Sequence, residues 1–177
     1  MKASSILFTT ILFLFIGREC KGENSLMETQ CVLEIKVASQ KVRKGQDVNL
    51  TVQLKNTSSQ KLWVNRRMLL NVNQAPAMLR ELWLDVVGPD GEQTPFSSHV
   101  RAGEAIASDF DVLKPGQVVS KQINLSKYFE LVKPGVYQIT AHYQDGTQDI
   151  PKARDGARHL QEQLNSAPAK LELLAPQ

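Results

Sequence analysis

Hydrophobic and polar residues alternate along most of the chain after residue 30. In CVLEIKV (31–37) and DVNLTVQLKN (47–56) every second side chain is apolar. A period of two is typical of a β-strand with one buried and one solvated face. Six further segments have a strand pattern: KLWVNRR, ELWLDVV, DFDVL, QVVSKQINL, GVYQITAHYQ and AKLELLA. The pattern therefore predicts seven or eight short strands.

Turn residues separate most of these segments. Pro89-Asp90-Gly91 follows ELWLDVV, and Lys-Pro-Gly occurs at 114–116 and again at 133–135. Proline followed by glycine suits the two central positions of a type II turn, because proline sets φ and glycine tolerates positive φ. The flanks of the two Lys-Pro-Gly sites differ, so we expect one turn type used twice and not a repeated functional motif. The pattern allows helix only near Tyr128 and within 156–165.

Short strands separated by turns are typical of an antiparallel β-sandwich. An up-and-down barrel fits less well, because the connections 66–80 and 145–168 are long for simple hairpins. The chain of 177 residues suits one domain, since domains commonly contain about 100–150 residues. We predict a single all-β domain over 31–175 with a long loop at 145–168.

The second Lys-Pro-Gly site indicates a particular kind of sandwich. Tyr137 lies two residues beyond Gly135, at the start of a strand and on the same face as Ile139. This arrangement resembles the tyrosine corner of immunoglobulin-like sandwiches, in which the hydroxyl bonds to backbone upstream. Ile139 stands where an antibody domain has a cysteine, and Trp63 lies at about the distance of the core tryptophan. The resemblance implies an immunoglobulin-like antiparallel sandwich without an internal disulfide.

A narrower resemblance follows from the succession VNLTVQLKNTSSQKLWV, GPDGEQ, LKPGQVVSKQINL and PGVYQITAHY. It resembles immunoglobulin-like modules of exported bacterial proteins, most of them without an assigned role. It is similar, more loosely, to bacterial intracellular proteinase inhibitors and to macroglobulin-type sandwich domains. This chain departs from the inhibitors because it is predicted to be exported and has no recognisable substrate-like loop. No functional residue is transferred from these families.

The N-terminus has the pattern of a signal peptide. Lys2 precedes an eleven-residue apolar run from Ile6 to Ile16, whereas a membrane span needs about 20 apolar residues. The best local match to a cleavage site ends at Gly22, so we expect residues 1–22 to be removed and 23–30 to form a flexible N-terminus. The predicted location is secreted or periplasmic, with no transmembrane span after signal removal.

Lipid attachment at Cys20 is a weaker alternative for the same segment. Arg18 and Glu19 stand where a lipoprotein signal has small residues. After cleavage Cys31 would be the one cysteine left. It shares the parity of Leu33 and Ile35, so we expect a buried thiol with no disulfide partner.

The charge of the chain gives little reason to expect nucleic acid as a partner. The formal charge of +3 falls to about +1 when residues 1–22 are removed, because 18 basic and 17 acidic residues remain. No dense Lys/Arg tract with interleaved aromatic residues is present.

Motifs for catalysis or metal binding are absent from the sequence. His99, His142 and His159 lie far apart and have none of the usual metal-ligand spacings. No Gly-x-Ser-x-Gly motif occurs. Asp109 and Asp111 fit a solvated strand face better than an acid–base pair. We therefore expect a non-enzyme with no metal and no cofactor.

Four polar residues outside these motifs also carry expectations. His142 has the parity of polar neighbours, so we expect it at the surface. Sequons occur at Asn49, Asn56 and Asn124, and they matter only in a glycosylating host.

The long loop is the first candidate for partner binding, since binding residues of sandwiches commonly lie on end loops. We expect a short helix there with one apolar face formed by Ala157, Leu160 and Leu164. The residues that would surround it and contact a partner are Arg154, Arg158 and His159. The alternative is an insertion without function.

Trp83 is the second candidate. Leu82 and Leu84 take one face of their strand and leave Trp83 on the other. An exposed tryptophan beside apolar neighbours can mark an interface. Alternatively, the 66–79 connection covers the ring.

Together these patterns favour an exported, non-catalytic binding or accessory module that contacts a protein or envelope component. A secreted proteinase inhibitor is the alternative function, and an enzyme of unrecognised type is a third.

Overall fold

The computed structural model describes residues 30–70, 80–98, 103, 105–145 and 151–176. The predicted signal peptide, nearly all of the 23–30 segment, His99 and residues 71–79 lie outside the described residues. No helix in the described part of the chain is long and apolar enough to cross a membrane.

The first sheet is antiparallel and contains three strands. Its central strand, β3 (Asn49–Asn56), pairs with β1 (Cys31–Val37) on one side and with β7 (Val118–Asn124) on the other. Apolar residues at every second position of β3 face the core, as alternation requires.

The second sheet is built around β8 (Gly135–Tyr143), which pairs with β5 (Leu82–Val87) along one edge. Two segments follow one another along the opposite edge of β8. They are β10 (Leu164–Asn165) and β11 (Ala169–Leu174). The short strand β2 (Lys41–Arg43) completes this sheet by pairing in parallel with β11.

A third, smaller sheet contains β4 (Leu62–Asn65) between β6 (Phe110–Leu113) and β9 (Arg158–His159). The β4–β6 pair is antiparallel and the β4–β9 pair is parallel. Single 3₁₀ turns occur at Ala107–Asp109 and Leu125–Lys127.

One main core fills the space between the first two sheets. Strand β1 contacts β8, β10 and β11 across this space. All four residues of β4 are buried: Leu62 and Val64 join the main core, whereas Trp63 joins a second, smaller cluster on the other face. This double burial makes β4 the boundary between the sandwich and the layer that covers it.

The predicted fold class is confirmed as an all-β, immunoglobulin-like sandwich. Each of the eight predicted strands is present, and Cys31 is a free, buried thiol. The described residues contain eleven strands, because β2, β9 and β10 are too short to alternate visibly. The helix predicted within 156–165 is wrong: its apolar positions are buried, but the chain there is extended.

Tyr137 is buried in the main core, and its hydroxyl bonds to backbone upstream. It donates to the carbonyl oxygen of Lys133 at 2.9 Å and accepts from the Lys133 N–H at 3.1 Å. The hydroxyl therefore fixes the chain where it enters β8.

The two Lys-Pro-Gly sites differ in conformation. At the first, Gly116 has φ +75° and the Gln117 N–H donates to the Lys114 carbonyl at 3.0 Å, which fits a type II turn. At the second, Gly135 has φ +134° and is already the first residue of β8, paired with Leu173. The predicted second type II turn is wrong.

Close packing explains the second glycine. A Cβ atom built on Gly135 would lie 2.6 Å from the Cβ of Pro89, in the turn that follows β5. Lys133 and Asp90 also form an ion pair between these segments. The Lys-Pro-Gly segment therefore docks on the Pro89-Asp90-Gly91 turn.

Replacing Tyr137 by Phe is expected to lower the free energy of unfolding by about 1 kcal/mol, because both hydrogen bonds to Lys133 are lost. Urea denaturation measures the change. Tyr128→Phe is the matched control, since the Tyr128 ring stacks on Phe96 while its hydroxyl has no bond in the described part. Equal stability of Tyr137→Phe and the natural chain would contradict the corner.

Gly135→Ala is expected to destabilise by about 3 kcal/mol, because backbone strain adds to the clash with Pro89. Gly116→Ala should lose about 1 kcal/mol, since its Cβ has open space and only the backbone is strained. Thermal and urea unfolding of both variants test this difference. Adding Pro89→Gly to Gly135→Ala should recover part of the loss, and no recovery would rule out the clash.

Candidate functional site

The described part of the predicted long loop is held against the third sheet. The Arg158 N–H donates to the Lys61 carbonyl at 2.8 Å, and the Leu160 N–H donates to the Trp63 carbonyl at 3.1 Å. Ala157, Leu160 and Leu164 are buried. Residues 151–165 therefore form an ordered cover over β4 and the end of β8.

An aromatic cluster of Trp63, Phe110 and His159 lies where this cover meets β4 and β6. The rings of Trp63 and Phe110 stack at 5.7 Å between centroids, with 17° between their planes. The His159 ring is tilted against Phe110 at 6.3 Å. Outside the cluster, the guanidinium of Arg154 lies 5.9 Å from the centroid of Trp63.

His159 also belongs to a buried polar pair. Its Nε2 atom bonds to Oδ2 of Asp145, whose side chain is 3 % exposed. His159 is the register partner of Trp63 across the parallel β4–β9 pair. The pair therefore joins the end of β8 to β9 beside the indole.

Four buried side-chain polar atoms of the described residues lack a hydrogen-bond partner: Trp63 Nε1, Asn65 Nδ2, His159 Nδ1 and Glu162 Oε1. Two of the four belong to the aromatic cluster. Buried polar groups are normally satisfied, so unpaired ones call for an explanation at that place.

The exterior of the same region carries four exposed basic side chains, which we call the basic edge: Lys61, Lys152, Arg154 and Arg158. Within the described ranges none of the four is in an ion pair with a carboxylate. The structure thus brings together Arg154, Arg158 and His159, with the cations outside and the imidazole partly buried.

Trp83 lies elsewhere, on the outer face of the second sheet, and it is not the exposed ring that an interface requires. It is only 8 % exposed. His142, its register partner on β8, stacks on it at 5.1 Å, and the guanidinium of Arg80 lies 5.6 Å from its centroid. These two residues cover part of the ring.

The expectation that His142 faces solvent is corrected for the same reason. Its Nε2 lies 2.9 Å from Asp85 Oδ2, and its Nδ1 lies 2.7 Å from Asn165 Oδ1. Alternation gave the correct face of β8, but neighbouring strands place an indole and two polar side chains around the imidazole.

A polar network at the end of β4 was missed from the sequence. The Arg67 guanidinium binds the carboxylate of Glu81, whose side chain is 3 % exposed, and the Leu69 N–H donates to the same carboxylate at 2.8 Å. The Tyr143 hydroxyl bonds to the N–H and the carbonyl of Asn65, both at 3.1 Å. The sequence feature that could have predicted this network is the placement of charged residues directly beside the segments LWVN and LWL.

Hydrogen bonding and burial within this network shift the pKa values of three of its groups. The hydrogen bond to Glu81 raises the pKa of Arg67. Burial raises the pKa of Tyr143 well above its ordinary value, and it lowers the pKa of Lys121, whose ammonium donates to the Arg67 carbonyl at 2.8 Å. The network holds the segment after β4 against β5 and β8.

The remaining candidates for chemistry have structural partners. Asp109 accepts from the Ile106 N–H at 2.9 Å and lies 3.5 Å from Arg67, so it does not act as a pair with the exposed Asp111. Among the described residues no three His, Cys, Asp or Glu side chains are grouped to hold a metal ion.

Asn56 is a structural residue within its sequon. It is fully buried, its amide donates to the carbonyls of Gln60 and Leu113, and its oxygen accepts from the backbone and hydroxyl of Ser58. In contrast, Asn49 is exposed on β3, and the Asn124 side chain accepts from the Ser126 N–H.

Cys31 is expected to be unreactive in the folded chain. Burial, with a smaller contribution from Glu162, raises the pKa of the thiol to about 12, so almost no thiolate is present at neutral pH. With Cys20 replaced by serine, Ellman's reagent at pH 8 should detect one thiol per chain only after denaturation. Rapid reaction of the native protein would contradict this.

Comparisons with known proteins leave the family open. No protein-family model and no curated protein matches the chain. Among the solved structures that match is the CARDB domain of the PF1109 protein from Pyrococcus furiosus, in complex with di-metal ions. It is 11% identical, the match covers 82% of this chain and 94% of that one, and the TM-score is 0.40. At this level the likeness says nothing about a ligand or an activity of this chain.

Proposed function

We propose that this protein is an exported, non-catalytic module that binds an acidic protein surface through the basic edge. The observation that carries the proposal is the set of four exposed cations at Lys61, Lys152, Arg154 and Arg158, none of which is in an ion pair with a carboxylate among the described residues. Export rests on the signal-peptide pattern of residues 1–22.

The cations belong to backbone that is already ordered. Residues 158–160 pair with β4, and Ala157 and Leu160 anchor the same segment in the interior. A surface that is fixed before binding loses less conformational entropy when a partner docks. The proposal therefore needs no folding of the segment on binding.

Charge indicates the nature of the partner. Lysines and arginines that are not paired with a carboxylate of their own chain are complementary to carboxylates on another surface. Such complementarity governs the rate and the specificity of association. Residues 151–165 contain two acidic side chains, the exposed Asp155 and the half-buried Glu162, against three exposed basic ones at Lys152, Arg154 and Arg158. Basic side chains therefore outnumber acidic ones there.

Reversing two charges of the basic edge tests the proposal. A partner is captured from the native envelope and purified, and its affinity for the Arg154→Glu/Arg158→Glu variant is measured. We expect the Kd to rise at least about tenfold, and the affinity of the natural chain to fall as salt is added.

Arg43→Glu/Lys44→Glu is the matched control, since it makes the same change in net charge at two exposed residues near β2. It should bind like the natural chain. Equal losses in the two variants, or no loss in either, would refute the proposal. Stoichiometric inhibition of a captured peptidase would instead support the inhibitor hypothesis.

A further inference from the structure

The indole N–H of Trp63 is an unpaired donor in the interior. Trp63 is 2 % exposed, and Nε1 has no hydrogen-bond partner among the described residues. An indole nitrogen donates and does not accept, so only an acceptor can satisfy it. The N–H is therefore satisfied only when an oxygen atom from outside the described residues reaches it.

We propose that Trp63 and Arg154 form a receptor for one carboxylate of an acidic partner peptide. This inference rests on the function proposed above and names the group that the basic edge recognises. The carboxylate accepts a hydrogen bond from Trp63 Nε1. The Arg154 guanidinium moves away from the face of the indole and forms an ion pair with the same carboxylate.

Arg154 can exchange its contact with the indole for an ion pair with the carboxylate. It is exposed, its guanidinium lies 5.9 Å from the indole centroid, and it has no ion pair in the described part of the chain. An exposed cation–π contact is weak, whereas a bidentate pair between arginine and a carboxylate is among the stronger hydrogen-bonded contacts. Binding therefore replaces a weak contact by a stronger one.

His159 provides a second unpaired atom next to the indole. Its Nε2 is bound to Asp145, and its Nδ1 lacks a partner. This nitrogen faces the region in which the carboxylate would lie, while the cations that would balance the carboxylate are Arg154 and Arg158.

The surroundings favour a peptide over a polyanion. The indole is stacked on Phe110 and shares its cluster with Ala105 and Ala157. A carboxylate at the end of a flexible glutamate stem can enter between such groups, whereas a phosphodiester is tethered to its polymer on both sides. The occupant is thus an acidic side chain of an extended peptide.

Tryptophan fluorescence tests the receptor, because the chain has two tryptophans and Trp83→Phe leaves Trp63 as the reporter. Hexaglutamate is titrated into this variant, with hexaglutamine as the uncharged control. We expect a saturable change in Trp63 emission with hexaglutamate alone. No change, or the same change with hexaglutamine, would overturn the inference.

Two more variants assign the contacts. Trp63→Phe keeps an aromatic ring but lacks the N–H, and Arg154→Gln lacks the charge. Each substitution should weaken hexaglutamate binding, measured by calorimetry, about tenfold. Arg43→Gln is the control and should bind unchanged. Unchanged affinity of Trp63→Phe, or tighter binding of inorganic polyphosphate than of hexaglutamate by the natural chain, would also overturn it.

The two proposals fail in different ways. If the captured partner needs Arg154 and Arg158 while Trp63→Phe is neutral, the basic edge stands and the carboxylate receptor is wrong. If hexaglutamate alters Trp63 emission but no partner depends on the basic edge, the receptor stands and the proposed function is wrong.

Discussion

Burial of β4 on both faces is the constraint on which the rest of the structure depends. In a two-layer sandwich a strand usually has one face toward the core and one toward water. Leu62 and Val64 satisfy that rule, but Trp63 points the other way and is also buried. A third layer must therefore cover the indole, and residues 151–165 provide it together with Phe110. The candidate binding surface is the outer side of that extra layer.

Buried polar groups near the C-terminal end of β4 and those on its Trp63 side differ in how many of them have hydrogen-bond partners. At its C-terminal end, Tyr143 and the Arg67–Glu81 pair satisfy buried backbone groups and fix the chain. On the Trp63 side, Trp63 Nε1 and His159 Nδ1 both lack a partner among the described residues, whereas at the C-terminal end only the side-chain nitrogen of Asn65 does. Satisfied networks rigidify a fold, whereas unsatisfied buried groups reduce stability. The molecule thus has a rigid support directly behind its least satisfied region.

Alternation predicted the long strands because one face of each meets the core and the other meets water. It did not predict β9 or β10, since strands of two residues cannot show a period. The helix predicted in this segment followed from the spacing of Ala157, Leu160 and Leu164, which also suits a helix. Alternation left the exposure of Trp83 open, because the stacked His142 comes from another strand. Gly135 was misassigned for a similar reason, as its neighbour Pro89 is distant in sequence. The site candidates Arg154, Arg158 and His159 came from one segment, while their relation to Trp63 required the pairing of β4 with β9.

The burial of Asn56 has a consequence for how the protein is produced. Its side chain uses both amide hydrogens and the oxygen to hold the 57–61 turn and the end of β6. Attachment of a glycan replaces one of those hydrogens and adds a bulky, solvated group that cannot enter the interior. In a secretory pathway that modifies Asn-x-Ser before the chain folds, occupied molecules would be unable to close the junction between β3 and β4. Production in a bacterial host avoids this modification. Replacing Ser58 by alanine also removes the sequon, but it loses the hydrogen bonds of the Ser58 hydroxyl to Asn56 and to the backbone of Gln60.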